Sequence, residues 1–582
     1  MEKLVVMRPN YTLLLVLAML TLAFRYSENS LYPEGYFRSP IDGPIQLTAT
    51  FGELRPNHFH AGLDIRGYEG TSLFAVADGY ISRIRVQASG YGNSIFISHP
   101  NGYTSMYAHL SRFSPEIAAY VRKMQYEQES FEVDLYPDAS VFPTKKSDRI
   151  GATGNTGASR GAHLHFEIRN TETDDVVNPM LFGFKVNDTT APRMYELKTY
   201  GLNDLHESEG SKIYTVIKPK GAKNYKIKGD TIYVSSPRAA FGLKVYDFMN
   251  GMSNKNGIYT MRLYQNDSLH YRFDMEGFAF KQTRYLNAHL DYEEQVARNS
   301  YFYRCFVLPG NRLPIYTQRL NDGVVQLRAG KKASKISIVT KDIGGNASKL
   351  VFWVKYKAPA SEPAKKNFAQ KLPFDQQADF ESDGVQVRFP EGTFYENVYF
   401  QYNRSRVTAS NIHSAQHALH RARTPVHDFF LMAIRPDTVL PAHLQQKSFI
   451  AQRSSNGAAI NCGGQWKADG WIHSKVRGMG TYCIMTDTVA PWITPSKFQY
   501  DMKAQKRMSF KISDNFSVGP NVKGMEYRAY IDGKWVLMEY DAKYRLLTHY
   551  FSSSFPAGEH QLCLHVSDAV GNERVFEGKF VK

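Results

Sequence analysis

His60, Asp64, His109, His163 and His165 are the side chains in this sequence best placed to do chemistry. They form a His-x-x-x-Asp pair and, roughly a hundred residues later, a His-x-His, with one more histidine between them. Two imidazole nitrogens and one carboxylate oxygen from this set make three ligands for a borderline-soft dication such as zinc, with one position left for water. The two remaining histidines can handle protons during a hydrolysis. Neither half is specific by itself. With 18 histidines in 582 residues, one His-x-His is expected roughly by chance, and His58-Phe59-His60 is a second example. Context decides. In His163-Leu164-His165-Phe166-Glu167-Ile168 polar and apolar residues alternate, so a strand turns both histidines to one face and Leu164 and Phe166 to the other. A buried sheet side gains little from two imidazoles, whereas a groove floor that carries a metal uses both. The glycines of the preceding run, Gly151, Gly154 and Gly157, read as tight turns that let backbone approach the groove closely.

Those residues sit among further short motifs in a fixed order: His60-Ala-Gly-Leu-Asp64-Ile, Ala77-Asp-Gly79, Gly90-Tyr-Gly92-Asn93, Tyr107-Ala-His109-Leu110, Ile150-Gly-Ala-Thr-Gly154-Asn-Thr-Gly157 and His163-Leu-His165-Phe-Glu167. Over residues 45 to 183, about a quarter of the chain, this order resembles the lysostaphin/LytM-type zinc metallopeptidases, which cut peptide cross-links in bacterial cell walls. The resemblance implies that His60, Asp64 and His165 hold one zinc ion. It also implies that His109 and His163 are the catalytic histidines, which orient the attacking water and stabilise the oxyanion. Zinc lowers the pKa of a bound water toward ~7 and polarises the scissile carbonyl, and histidine titrates near the working pH. No His-Glu-x-x-His and no His-x-His-x-Asp-His occurs, which argues against thermolysin-like and metallo-β-lactamase-like sites.

Two features depart from the pattern. Ala162 stands where the family usually has proline before His-Leu-His. The stretch between His109 and Ile150 is also long. Ser114-Pro115-Glu116 reads as a helix start, Ile117, Tyr120, Val121 and Met124 recur at helical spacing, and Phe131 to Leu135 reads as a strand. Together they are expected to wall the groove and restrict its substrates. Elsewhere, His413, His417 and His420 stand at helical spacing with no accompanying carboxylate, which predicts a solvated helix face, and His58 is expected to have no direct role.

A chain of 582 residues holds several domains. Short apolar runs between Gly, Pro, Asn and Asp predict a mainly β protein: an antiparallel LytM-like peptidase domain over 31–186, followed by immunoglobulin-like β-sandwich modules. Asp188-Thr-Thr-Ala-Pro192 and Asp487-Thr-Val-Ala-Pro491 look like one linker used twice, and the stretches after them end in Asp342-Ile-Gly-Gly-Asn346 and Asp568-Ala-Val-Gly-Asn572. This predicts two immunoglobulin-like sandwiches, over 187–358, with an insertion near 265 to 320, and over 487–582. Between them lie a linker at 359–379 and a β module of unassigned role at 380–486.

Lys3 and Arg8 precede an apolar stretch over 12–24, so residues 1–24 read as a signal peptide or an uncleaved membrane anchor, and the protein as exported to the periplasm or cell envelope. Four cysteines are too few for a disulfide framework. Cys462 and Cys483 are positioned to bridge in an oxidising compartment, with Cys305 and Cys563 buried and free. The formal charge of +16 suits an anionic polymer. Peptidoglycan stem peptides fit, other cell-envelope proteins are candidate partners for the C-terminal modules, and no nucleic-acid signature is present. The leading expectation is an exported zinc endopeptidase with peptidoglycan as substrate. Its rivals are a catalytically silent or autoinhibited LytM-like activator of another hydrolase, and a β-rich adhesin with a vestigial domain.

Overall fold

Strands of two to ten residues, punctuated by glycines and asparagines in the left-handed region, give a mainly β protein whose sheets are almost entirely antiparallel. The computed structural model describes residues 32–229, 231–359 and 367–582. The leader or anchor expected at 1–24 lies outside the described residues, and among those described no helix is long and apolar enough to cross a membrane.

The first sheet carries the chemistry. Its main strands are Leu47–Ala49 (β1), Leu63–Arg66 (β2), Gly79–Val86 (β3), Ser94–Ser98 (β4), Tyr103–Ala108 (β5), Val133–Leu135 (β6) and His163–Asn170 (β7), in the order β1-β2-β7-β5-β4-β3-β6. Pro115–Glu127 forms a helix (α1) with proline in its first turn and Glu116 near its N-terminus, as the sequence predicts. The expected added strand is β6, at the edge of the sheet and separated from β5 by two strands. Neither element walls the ligand strands. α1 and the loop after β3 meet the last domain instead: Tyr126 meets Trp535 edge-to-face at 5.3 Å, and the Ala542 N–H reaches the Ala88 carbonyl.

Residues 193–356 form two six-stranded sheets. The expected insertion is shorter than 265 to 320, because Ser268–Asp274 and Tyr316–Arg319 are strands of the second of these sheets. What remains between them holds short helices that pack on the peptidase sheet. Gly277–Phe278 pairs with Val176–Val177, and Phe278 lies against Phe51 and Phe59, so one hydrophobic cluster runs through both units. His289 lies fully buried in this junction among the rings of Phe59, Phe273 and Tyr303, and its Nδ1 shares a hydrogen bond with the Tyr316 hydroxyl at 3.0 Å. Burial, aided by Arg304, pushes its pKa down to about 3. The unfolded chain, with an ordinary histidine near ~6.5, therefore binds the extra proton between those values. Stability is full above that window and falls as pH drops through it, by up to about 1.4 kcal/mol per pH unit from this ring. Urea midpoints measured from pH 7 to 4 should fall, and His289→Phe should flatten part of the slope. An unchanged slope would remove His289 from the acid response.

The linker expected at 359–379 ends early. Gln370–Leu372 is a strand paired with Val398–Phe400, and Ala378 begins another, so these residues belong to the following module. His417 sits in a strand, Gln416–Leu419, fully buried against the Tyr402 hydroxyl; alternation sends one side of that strand inward, and the expected helix face does not exist. Cys462 and Cys483 are free, as are Cys305 and Cys563. Cys483 lies in Gly480–Thr486 and Cys462 just after Ala459–Asn461, and Ser448–Arg453 runs between those two strands, so the bridge that the sequence allows does not form. Cys305 is fully buried and Cys563 only partly so.

The last unit packs two four-stranded sheets around Met508, Phe510, Leu562, Leu564 and Phe580.

Candidate metal centre and active site

β7 positions the site. Leu164, Phe166 and Ile168 enter the core, and the opposite face presents His163, His165, Glu167 and Arg169. Register does the rest: β2 sets Asp64 directly opposite His165, and β5 sets Ala108 opposite it on the other side. His109 follows β5 with φ of +63°, a left-handed residue that ends the strand and turns the imidazole toward the other histidines. His60 arrives from the hairpin of Leu54–Arg55 with His58–Phe59.

Three atoms converge. His60 Nε2 lies 3.0 Å from Asp64 Oδ1 and 3.1 Å from His165 Nδ1, and the latter two lie 2.9 Å apart. The outward nitrogens fix the tautomers. His60 Nδ1 donates to the Thr50 carbonyl at 2.8 Å, and His165 Nε2 donates to Glu167 Oε1 at 2.8 Å. The inward atoms are then three lone-pair bearers about 3 Å apart, the spacing of three corners of a tetrahedron whose centre lies about 2 Å from each. A dication fits that donor set and removes the repulsion that these atoms otherwise impose on one another. Where a proton takes that place, His165 is the group that holds it. Burial opposes its charge, but Asp64 and Glu167 outweigh burial and push it up to about 9. Asp64 is driven well below the ordinary carboxylate range, as the three histidines around it overcome its burial.

The other two histidines stand beside this cluster. The His109 ring lies 4.9 Å from that of His163 and 5.9 Å from that of His165. His163 Nε2 is 3.5 Å from Asp64 Oδ1. Each of the two rings gives its Nδ1 proton to a backbone carbonyl at 2.8 Å, His109 to Thr156 and His163 to Gly161, which leaves Nε2 with a lone pair. Burial, and the proximity of His165 and His163, push His109 down to about 3 and keep it neutral. The Thr156 carbonyl is held by two interlocked glycine loops: a Cβ at Gly157 would fall 2.3 Å from the Gly92 nitrogen, and both glycines have positive φ. His58 takes no part; its Nδ1 turns to the Pro56 carbonyl.

Sequence reading assigned no role to the shell outside these five residues. Glu167 is fully buried, held down to about 2 against its burial by Arg169 and His165, and accepts the Tyr91 hydroxyl at 2.8 Å as well as the His165 proton. Arg169 bonds its other oxygen at 2.7 Å and carries the Phe280 ring of the neighbouring sandwich at 4.5 Å. The same alternation that paired His163 with His165 puts Glu167 and Arg169 on that face, so the signal was present. Glu167→Gln is expected to weaken metal affinity about 10- to 100-fold, read by competition with a chromophoric chelator. Unchanged affinity would show that Glu167 does not act on the metal through His165.

The last domain also reaches the site: the Lys543 ammonium donates to the carbonyl of Asn155, the residue before Thr156.

Residues 58–126 match peptidase family M23, and residues 369–487 match the Zu5-like domain. The chain is 36% identical over 137 residues to the DD-carboxypeptidase/endopeptidase Mpg of Neisseria meningitidis serogroup B, covering 24% of this chain and 23% of that protein. It is 29% identical over 144 residues to an uncharacterized metalloprotease of Haemophilus influenzae, covering 23% and 25%. To the murein hydrolase activator NlpD of Escherichia coli it is 31% identical over 137 residues, covering 24% and 29%. The catalytic domain of lysostaphin from Staphylococcus simulans aligns at 24% identity over 23% of this chain and 87% of that chain, with a TM-score of 0.18. The chain spans about a quarter of the length of the curated relatives it matches.

Proposed function

We propose that this chain, which carries a peptidase family M23 domain, is an exported zinc endopeptidase that hydrolyses peptide cross-links of peptidoglycan. The observation that carries the reading is the convergence of His60, Asp64 and His165 at about 3 Å, lone pairs inward, with two more imidazoles beside them. Those three residues would hold the zinc. When bound, it would supply a water acidified toward ~7 and a polarised carbonyl. His109, kept neutral, suits the role of accepting a hydrogen bond from the attacking water. His163 would serve the oxyanion with a second proton on Nε2, and the proton removed from water leaves on the departing amine.

Similarity to relatives named for cell-wall enzymes supports the substrate class, and the charge of +16 suits an anionic wall. We place the protein in the periplasm or cell envelope, with residues 12–24 as leader or anchor and the C-terminal modules as contacts to other envelope proteins. Similarity to an activator of murein hydrolases favours a second reading, in which the domain binds wall and stimulates another enzyme without cutting. Incubation of zinc-loaded protein with purified sacculi, followed by separation of the released muropeptides, distinguishes the two. Cleaved cross-links support the peptidase. No cleavage by fully loaded protein, together with stimulation of an added hydrolase, would replace it with the activator.

A further inference from the structure

Two carboxylate trios lie far from the catalytic groove, and they repeat. Asp188, Asp247 and Asp342 each bring one carboxylate oxygen within 4.8 Å of the others, and so do Asp487, Asp514 and Asp568. The placement is the same in both sandwiches. The first aspartate opens the Asp-Thr-x-Ala-Pro linker, the second follows a strand (Arg238–Tyr246 or Arg507–Ser513), and the third follows another (Ser334–Lys341 or Glu559–Ser567).

The wiring is also the same. Asn346 Nδ2 bonds Asp342 Oδ2 at 2.7 Å and the Asp188 carbonyl at 3.2 Å; Asn572 Nδ2 bonds Asp568 Oδ2 at 2.7 Å and the Asp487 carbonyl at 3.0 Å. Linker and closing turn are thus held together by an asparagine, with their carboxylates brought toward one another.

One oxygen of each middle aspartate is left without a partner, although backbone N–H groups reach both carboxylates, that of Phe248 at Asp247 and those of Asn515 and Phe516 at Asp514. Asp247 is 1% exposed and its Oδ1 has no hydrogen-bond partner; Asp514 is only half-buried, but its Oδ1 is also shielded from water and unpartnered. Asn256, which faces Asp247 across an antiparallel bridge and is also 1% exposed, leaves both amide atoms unpartnered. The charges that bear on Asp247 come from Asp342 and Asp188, and those on Asp514 from Asp487 and Asp568, all of the same sign. Burial and these neighbours push Asp247 up to about 8 and Asp514 up to about 6. A buried carboxylate with an orphan oxygen is costly unless a cation satisfies it.

We propose that each sandwich binds one calcium ion through its aspartate trio, locking the linker that enters the domain to the strand ends that close it. Oxygen-only donors select a hard cation, and oxygens no farther apart than this can share one calcium at about 2.4 Å from each. Binding would return Asp247 to the charged form and release its proton. The consequence is positional. Asp188 lies on the segment that joins the peptidase sheet to the first sandwich, and Asp487 on the one that enters the last domain, whose Lys543 touches the glycine loop beside the active site. Two ions therefore fix the angles at which the last domain is presented to the groove.

The test is equilibrium dialysis of the full zinc-loaded chain against radiolabelled calcium at about 1–5 mM, the range of extracellular modules. About two ions per chain are expected, about one in either Asp247→Asn or Asp514→Asn, and none in the double variant. A tenfold excess of magnesium should displace little, since that ion demands octahedral geometry and keeps its waters. Thermal melts give an independent reading. Asp247→Asn removes the cost of protonating a buried carboxyl, so it should melt higher than the native chain in chelator and lose the calcium-dependent rise. No calcium bound, calcium lost with His165→Ala, unchanged stoichiometry in the double variant, or displacement by magnesium would each overturn the proposal.

Discussion

His165→Ala is expected to empty the metal centre and remove activity together. Zinc content should fall from about one per chain to a small fraction, and kcat/KM on cross-linked muropeptides by about three orders of magnitude or more. The size follows from what His165 joins. Its Nδ1 is one of the three converging donors, and its Nε2 proton goes to Glu167, whose other partners are Tyr91 and Arg169. Removing the ring deletes a ligand and disconnects the buried shell from the metal. Asp64 and His60 alone make a two-ligand site of much lower affinity. His58→Ala is the matched control: it belongs to the other His-x-His, faces away, and should leave both quantities unchanged. Zinc retained in full by His165→Ala would mean that the ion sits elsewhere.

His109→Ala and His163→Ala should separate chemistry from metal binding. Each is expected to keep about one zinc per chain and lose about 10²- to 10⁴-fold in kcat/KM, with KM little changed. Neither ring is among the three mutually close donors, and both are anchored by Nδ1 to backbone carbonyls that do not depend on the metal. A positive φ at His109 adds a structural argument, since a strained non-glycine conformation is kept where a side chain must point one way. If either variant lost zinc in proportion to activity, that histidine would be a ligand and not a catalytic residue.

How much of this was legible in the sequence follows from the range of each interaction. The histidine strand was readable because alternation is local: His163 and His165 on one face and Leu164 and Phe166 on the other is what β7 does. The meeting of Asp64 with His165 is set by strand register, which no local pattern encodes, and reached the sequence reading only through an ordered set of motifs. Glu167 and Arg169 share the readable face, yet their partners, Tyr91 and the Phe280 ring, come from distant loops. Helix α1 was signalled by its proline and first-turn acid, but its job was not, because that depends on a domain some four hundred residues away packing Trp535 against Tyr126. The histidines at 413, 417 and 420 misled for the opposite reason: spacings of four and three residues suit one face of a helix only if a helix forms, and Gln416–Leu419 pairs as a strand with Tyr402–Ser405 instead. The two aspartate trios were half-visible as a repeated linker and a repeated turn; that they close on each other needs the folded sandwich.

The most direct test of the metal centre is the zinc K-edge X-ray absorption spectrum of the zinc-loaded full chain. A first shell of nitrogen and oxygen at about 2.0–2.1 Å with the multiple scattering of two imidazoles, and a zinc edge that all but disappears in His165→Ala, is the expected result. Sulfur at about 2.3 Å, an all-oxygen shell, or a spectrum unaltered by that substitution would contradict it.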